Sequence, residues 1–161
     1  MTWRLGRMVM DSKSGRYFED YVVGVGQEVG SVSISEDDII EFAKKYDPQE
    51  FHTDPEKAAT GPFGGLIASG WHTIAVVMRL LVDRYLDNKS SLGSPGIDEL
   101  RWLAPVRPGD VLTVRAKVFD ARRSNSKPDR GLIHTSVETL NQDGVMVMTM
   151  KAVNVVACRK A

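Results

Sequence analysis

Cysteine is almost missing from this chain. Cys158 is the single one in 161 residues, so no intrachain disulfide can form, which fits a reducing compartment. A surplus of positive charge is missing too. The 21 Lys and Arg are matched by 21 Asp and Glu, which argues against a nucleic-acid partner, since such proteins carry a basic excess on one face. Long apolar runs are absent. The strongest, residues 74–82, is interrupted by Arg79 and is far too short to span a bilayer. The N-terminal residues hold no apolar signal-peptide core. The expectation is a cytoplasmic protein with no membrane partner. Internal repeats and low-complexity tracts are lacking as well.

What remains is an ordinary globular composition, 42% hydrophobic and 26% charged. The length suits one domain over residues 1–161, with residues 1–25 read as a polar, glycine-containing N-terminal arm. A chain of this size buries roughly 68–70% of its unfolded surface, enough for a core without a staple.

Residues 28–34 alternate as a short strand. Ser35 then caps a helix, with Glu36, Asp37 and Asp38 at its positive end and Ile39, Phe42, Ala43 and Tyr46 on one face. Asp47-Pro48 ends it, because the residue before proline avoids the α region. Asp54 and Pro55 open a further short helix to Thr60. The longest helix is expected over residues 68–86, where Ile74, Val77, Met78, Leu81, Val82 and Tyr85 form a broad apolar stripe. No residue from Gly61 to Met78 carries an acid. From residue 97 onward the period changes to two. Strands are expected over 97–103, 112–118, 133–139 and 145–156, with a rigid turn at 105–110, a basic loop at 121–130 and a turn at 141–144. The fold class is α+β, an antiparallel sheet wrapped around one long central helix, because each needs the other's apolar face.

The segment Asp47-Pro48-Gln49-Glu50-Phe51-His52 puts a carboxylate and an imidazole five residues apart across a proline bend. Two such groups can hold one water between them, and histidine can both take and give a proton near neutral pH. Spacing alone leaves a plainer alternative open: Asp47 as a turn residue ending its helix, and His52 as a loop histidine bonded to a backbone carbonyl. The second segment, Gly64-Gly65-Leu66-Ile67-Ala68-Ser69-Gly70-Trp71-His72, leads into the long helix. Small residues let a ligand approach the backbone, and free N–H groups at a helix start favour negative charge on a carbonyl oxygen. Tight packing of the helix start would explain the same residues.

Together these segments, with Gly61-Pro62-Phe63-Gly64-Gly65 between them, resemble the signature of MaoC-like dehydratases, the (R)-specific enoyl-CoA hydratases of the hotdog fold. Residues 15–21 and the turn Pro105-Val106-Arg107-Pro108-Gly109-Asp110 match less specifically. The resemblance implies a hotdog fold and reversible hydration of a trans-2-enoyl thioester. It implies Asp47 and His52 as the catalytic pair and Gly70, with Ser69 beside it, at the thioester carbonyl. The family often places Asn between acid and base, where this chain has Gln49. Gln49, Phe63, Gly65, Leu66, Ile67 and Trp71 are the substrate-binding candidates. No metal and no cofactor is implied beyond coenzyme A as part of the acyl-CoA substrate, and the chain is expected to form a homodimer or a higher homo-oligomer.

His72, in the first turn of the helix, and His134, in mid-strand, read as structural. Arg122, Arg123, Lys127 and Arg130 read as a solvated loop that is also able to meet phosphate. Two rival functions use the same fold. A thioesterase would want an acid near the start of the central helix, where this chain has none. A binding domain without catalysis would not need the Asp47–His52 pair.

Overall fold

The computed structural model describes residues 15–160. A short 3-10 turn, Phe18–Asp20, precedes strand β1 (Gly26–Ser33). Helices α1 (Glu36–Tyr46), α2 (Glu50–Thr53), α3 (Pro55–Thr60) and α4 (Gly70–Arg84) follow. Strands β2 (Gly96–Trp102), β3 (Val111–Arg123), β4 (Arg130–Leu140) and β5 (Met146–Ala157) complete the order. Residues 1–14 of the expected arm lie outside the described residues. The rest of the arm is laid on the body. Arg16 is buried with its guanidinium 4.0 Å from the Tyr21 ring centre and 4.5 Å from that of Tyr85. Phe18 sits so close over Gly131 that a Cβ there would come within 2.2 Å of the ring.

The strands form one sheet in the order β1-β3-β4-β5-β2, with every pairing antiparallel. Leu112, Val114, Ala116 and Val118 of β3 and Ile133, Thr135, Val137 and Thr139 of β4 point to one side and are buried, as a period of two requires. On that side α4 lays down Val77, Leu80 and Leu81, followed by Tyr85 just past its end. Each such side chain removed from water contributes about 1.5–3 kcal/mol. This is the hotdog arrangement expected from the sequence. No helix among the described residues is long and apolar enough to cross a membrane.

Four expectations need correction. Helix α4 starts at Gly70 rather than Ala68, because the residues before it are held outside the helix by bonds to other segments. The Ile67 N–H donates to the Phe51 carbonyl (3.1 Å) and the Ala68 N–H to the Val106 carbonyl (2.8 Å). It ends at Arg84 rather than Leu86, where the Leu86 N–H reaches back five residues to the Leu81 carbonyl (2.7 Å) and closes the last turn. Its buried face is also rotated. Met78 and Val82 are 46% and 37% exposed while Thr73 and Leu80 face inward. Finally, Arg122 and Arg123 lie in β3 and not in a loop. A bulge between Val118 and Asp120 resets the alternation and lets the strand run on, pairing Arg122 with Leu132 and Arg123 with Gly131.

Candidate active site

Helix α1 delivers Asp47. Its start is fixed by a reciprocal cap in which the Asp38 N–H donates to Ser35 Oγ (3.1 Å) and the Ser35 N–H to Asp38 Oδ2 (3.2 Å). Its end is Asp47 itself, at φ −149° and ψ 67° before Pro48. The chain then turns through Gln49 into α2, a single helical turn that carries His52.

Acid and base meet there. His52 Nε2 lies 3.4 Å from Asp47 Oδ2. His52 Nδ1 lies 2.7 Å from the Ile67 carbonyl oxygen. A carbonyl only accepts, so Nδ1 carries the hydrogen, and in the neutral ring Nε2 keeps its lone pair facing Asp47. The Ile67 carbonyl therefore fixes the imidazole's tautomer. Both carboxylate oxygens of Asp47 have donors: the Gln49 amide on Oδ1 (2.8 Å) and the Ser69 hydroxyl on Oδ2 (2.7 Å). Burial pushes the Asp47 pKa up. The Ser69 and Gln49 hydrogen bonds and the nearby His52 outweigh it and hold the carboxyl below its usual range.

Gly70 opens α4, and no described residue accepts from its N–H. The next N–H, of Trp71, is capped by Ser69 Oγ at 3.2 Å. Trp102, at the end of β2, donates from Nε1 to the Gly70 carbonyl (3.1 Å), and its indole fills the space where a side chain at residue 70 would stand. A Cβ at residue 70 would stand 2.4 Å from Trp102 Cε2.

Asp47, His52 and Gly70 all line one cleft of about 380 Å³, a size suited to a small-molecule ligand. Of the expected slot residues, Phe63, Ile67 and Trp71 are on its wall. Leu66 is not, and turns into the core. Gly65, at φ +153°, lies against Arg107, whose guanidinium donates to the Phe63 carbonyl (2.6 Å). Gln49 and Ser69 act on Asp47 from behind the wall. Sequence reasoning missed Thr73, Trp102 and the stretch Leu103 to Val106, which close the cleft from the helix and from the β2–β3 connection. Only a contact across the sheet edge brings them there, and no local pattern announces it.

His72 faces away from the cleft. Its ring stacks on Phe42 of α1 at 4.8 Å and 12°, and its Nδ1 is buried without a described partner. Burial lowers its pKa, against an opposing pull from the Asp38 charge. The unfolded chain thus takes up this proton more readily than the folded one. Stability should be undiminished above the ordinary histidine pKa of about 6.5 and fall as pH drops from there toward the lower folded value. Urea titrations at pH 7 and pH 5 check this, and His72→Phe, which keeps the stack and loses the proton site, should narrow the gap between them. His134 lies on the outer face of the sheet, 4.0 Å from both Asp98 and Asp120. Arg123 and Arg130 are paired with Glu19 (2.7 Å) and Asp129 (2.9 Å).

The chain is also similar to known proteins. A family model described as a MaoC like domain matches residues 23–140. The uncharacterized protein YdeM of Bacillus subtilis is 30% identical over 129 residues, 80% of this chain and 90% of its own. The 3-hydroxyacyl-thioester dehydratase Z of Mycobacterium tuberculosis is 31% identical over 124 residues, 74% of this chain and 82% of its own. Among solved structures, a MaoC-like dehydratase from Rhodospirillum rubrum superposes with a TM-score of 0.84 at 41% identity, covering 91% of this chain and 100% of that one.

Proposed function

This chain belongs to the MaoC-like dehydratase family, and from that premise we propose that it is a hydro-lyase that reversibly hydrates a trans-2-enoyl thioester of coenzyme A to the 3-hydroxyacyl thioester. The observation that carries the reading is the 3.4 Å approach of His52 Nε2 to Asp47 Oδ2, on the wall of a cleft that also holds the start of α4.

In the hydration direction a water sits between the pair and donates one hydrogen to His52 Nε2 and the other to the ionised Asp47. Its oxygen attacks the β-carbon while His52 takes its proton. The electron pair of the double bond moves through the α-carbon, and negative charge gathers on the thioester oxygen. The Gly70 N–H and the positive end of α4 face that charge. A donor of this kind contributes about 3–4 kcal/mol. The imidazolium, steadied by Asp47, then returns its proton to the α-carbon, so that acid and base end as they began. Dehydration runs the same steps backward. Phe63, Ile67 and Trp71 take the apolar part of the acyl group. The proposed addition uses no cofactor, and coenzyme A enters only as part of the substrate.

A homodimer belongs to the same reading. Strand β2 pairs on one side with β5, and its free edge carries the exposed Ile97 and Trp102, a surface that a second copy can cover.

Crotonyl-CoA tests the function. The conjugated enoyl-thioester absorbance should fall with no release of free thiol. Thiol release would turn the reading to a thioesterase. No change with short, branched and dicarboxylic enoyl thioesters alike would leave a binding domain.

A further inference from the structure

We propose that Ser69 is a positioning residue for Asp47: its hydroxyl orients the catalytic carboxylate and is thereby withheld from the thioester oxygen. The kinetic part of this proposal rests on the hydratase reading above.

A serine hydroxyl has one hydrogen to give. At 2.7 Å from a carboxylate oxygen, which only accepts, that hydrogen goes to Asp47 Oδ2. One lone pair of the same oxygen accepts the Trp71 N–H at 3.2 Å. Ser69 is fully buried at 0% exposure. Hydrogen bonds to an ionised group in such surroundings are the strong ones. With its donor committed, Ser69 has nothing left for a substrate carbonyl, and that task stays with the Gly70 N–H. Gln49 holds the other carboxylate oxygen but is exposed, and water can replace it.

Ser69 also joins two elements 22 residues apart. It caps α4, where charge would gather on the substrate, and grips the end of α1, where the water would be held. One side chain therefore links those two points directly. A threonine at this place would keep the hydroxyl. A glycine would remove it while remaining nearly as good a helix cap, since the Ser→Gly change at an N-cap costs far less than Ser→Ala.

The experiment compares wild type, Ser69→Gly and Ser69→Thr. The Asp47 carboxyl carbon is titrated by NMR, and kcat/KM for crotonyl-CoA is measured from pH 5 to pH 8. In Ser69→Gly the Asp47 midpoint should move to higher pH, and kcat/KM should fall by about tenfold or more at neutral pH and further at pH 5. Ser69→Thr should return both toward wild type. An unmoved Asp47 midpoint in a folded Ser69→Gly, or a loss that is the same at every pH, would overturn the proposal. If the wild type hydrates no enoyl thioester and the midpoint still moves, the hydratase reading fails and the hold of Ser69 on Asp47 stands.

Discussion

His52→Ala should lower kcat/KM for enoyl-thioester hydration by about a thousandfold, and Asp47→Asn by a similar factor, within the 10²–10⁴ range of positioned acid–base groups. The two losses should not add. If one water is held by both side chains, removing either empties the site of its function, and the double variant should fall little below the worse single one. KM should change less than kcat, because neither group is proposed to grip the acyl tail. Folding has to be read beside the rates. His52→Ala leaves the Ile67 carbonyl without its Nδ1–H donor, which costs about 1–3 kcal/mol when such a group is buried. Asp47→Asn keeps an oxygen for Ser69 and removes the charge, so it is the cleaner of the two. Steady-state rates with urea unfolding of the same samples decide the matter. Losses under tenfold in folded variants would remove the pair from the chemistry.

Gly70→Ala should be nearly as damaging, for a steric reason. The new methyl would stand 2.4 Å from Trp102 Cε2, 2.6 Å from Nε1 and 2.8 Å from Cδ2. The flat indole has no flexible end to yield. It must swing out, break its hydrogen bond to the Gly70 carbonyl and open the cleft wall. Overpacking of this sort costs about 1–3 kcal/mol, and the displaced Gly70 peptide would no longer present its N–H where the thioester oxygen is proposed to lie. The expected loss in kcat/KM is about a hundredfold, from the combined oxyanion and wall defects. The second-site variant Gly70→Ala with Trp102→Ala should regain stability but not rate. Thermal unfolding and kinetics on the three proteins separate the two effects. Full activity in Gly70→Ala would mean that the helix start takes no part.

Helix α1 was legible from both ends, because a serine cap and an Asp-Pro stop are local chemistry. So were α3 and the alternation of β3 and β4. The two readings of Asp47 and His52 divided between atoms. His52 is bonded to a backbone carbonyl, as the plainer reading expected, but through Nδ1, and this leaves Nε2 turned to Asp47. Helix α2 has four residues, too few for any periodicity to register. Arg122 and Arg123 read as a loop because charge outweighed a pattern already broken by the bulge at Asp120. Met78 and Val82 matched the helical period equally well on paper. Which flank of a wide stripe meets the sheet depends on where the helix lies, and this is tertiary information. Ser69 to Asp47 and Trp102 to Gly70 are long-range contacts that composition cannot foretell.

The base is carried by one of the shortest elements of the molecule, and the acid by the residue that ends the helix before it. Asp47 ends an eleven-residue helix and His52 rides on a four-residue turn, while β3, β4 and β5 run to 13, 11 and 12 residues in mutual register. Segments with so few hydrogen bonds of their own open locally at a fraction of the free energy that melts a central sheet. Inactivation and denaturation are then separate events. Under mild urea the amides of residues 49–53 should exchange, and catalysis should stop, while the β3–β4–β5 ladder is still closed, so a melting curve read from the sheet would overstate the conditions under which the protein works.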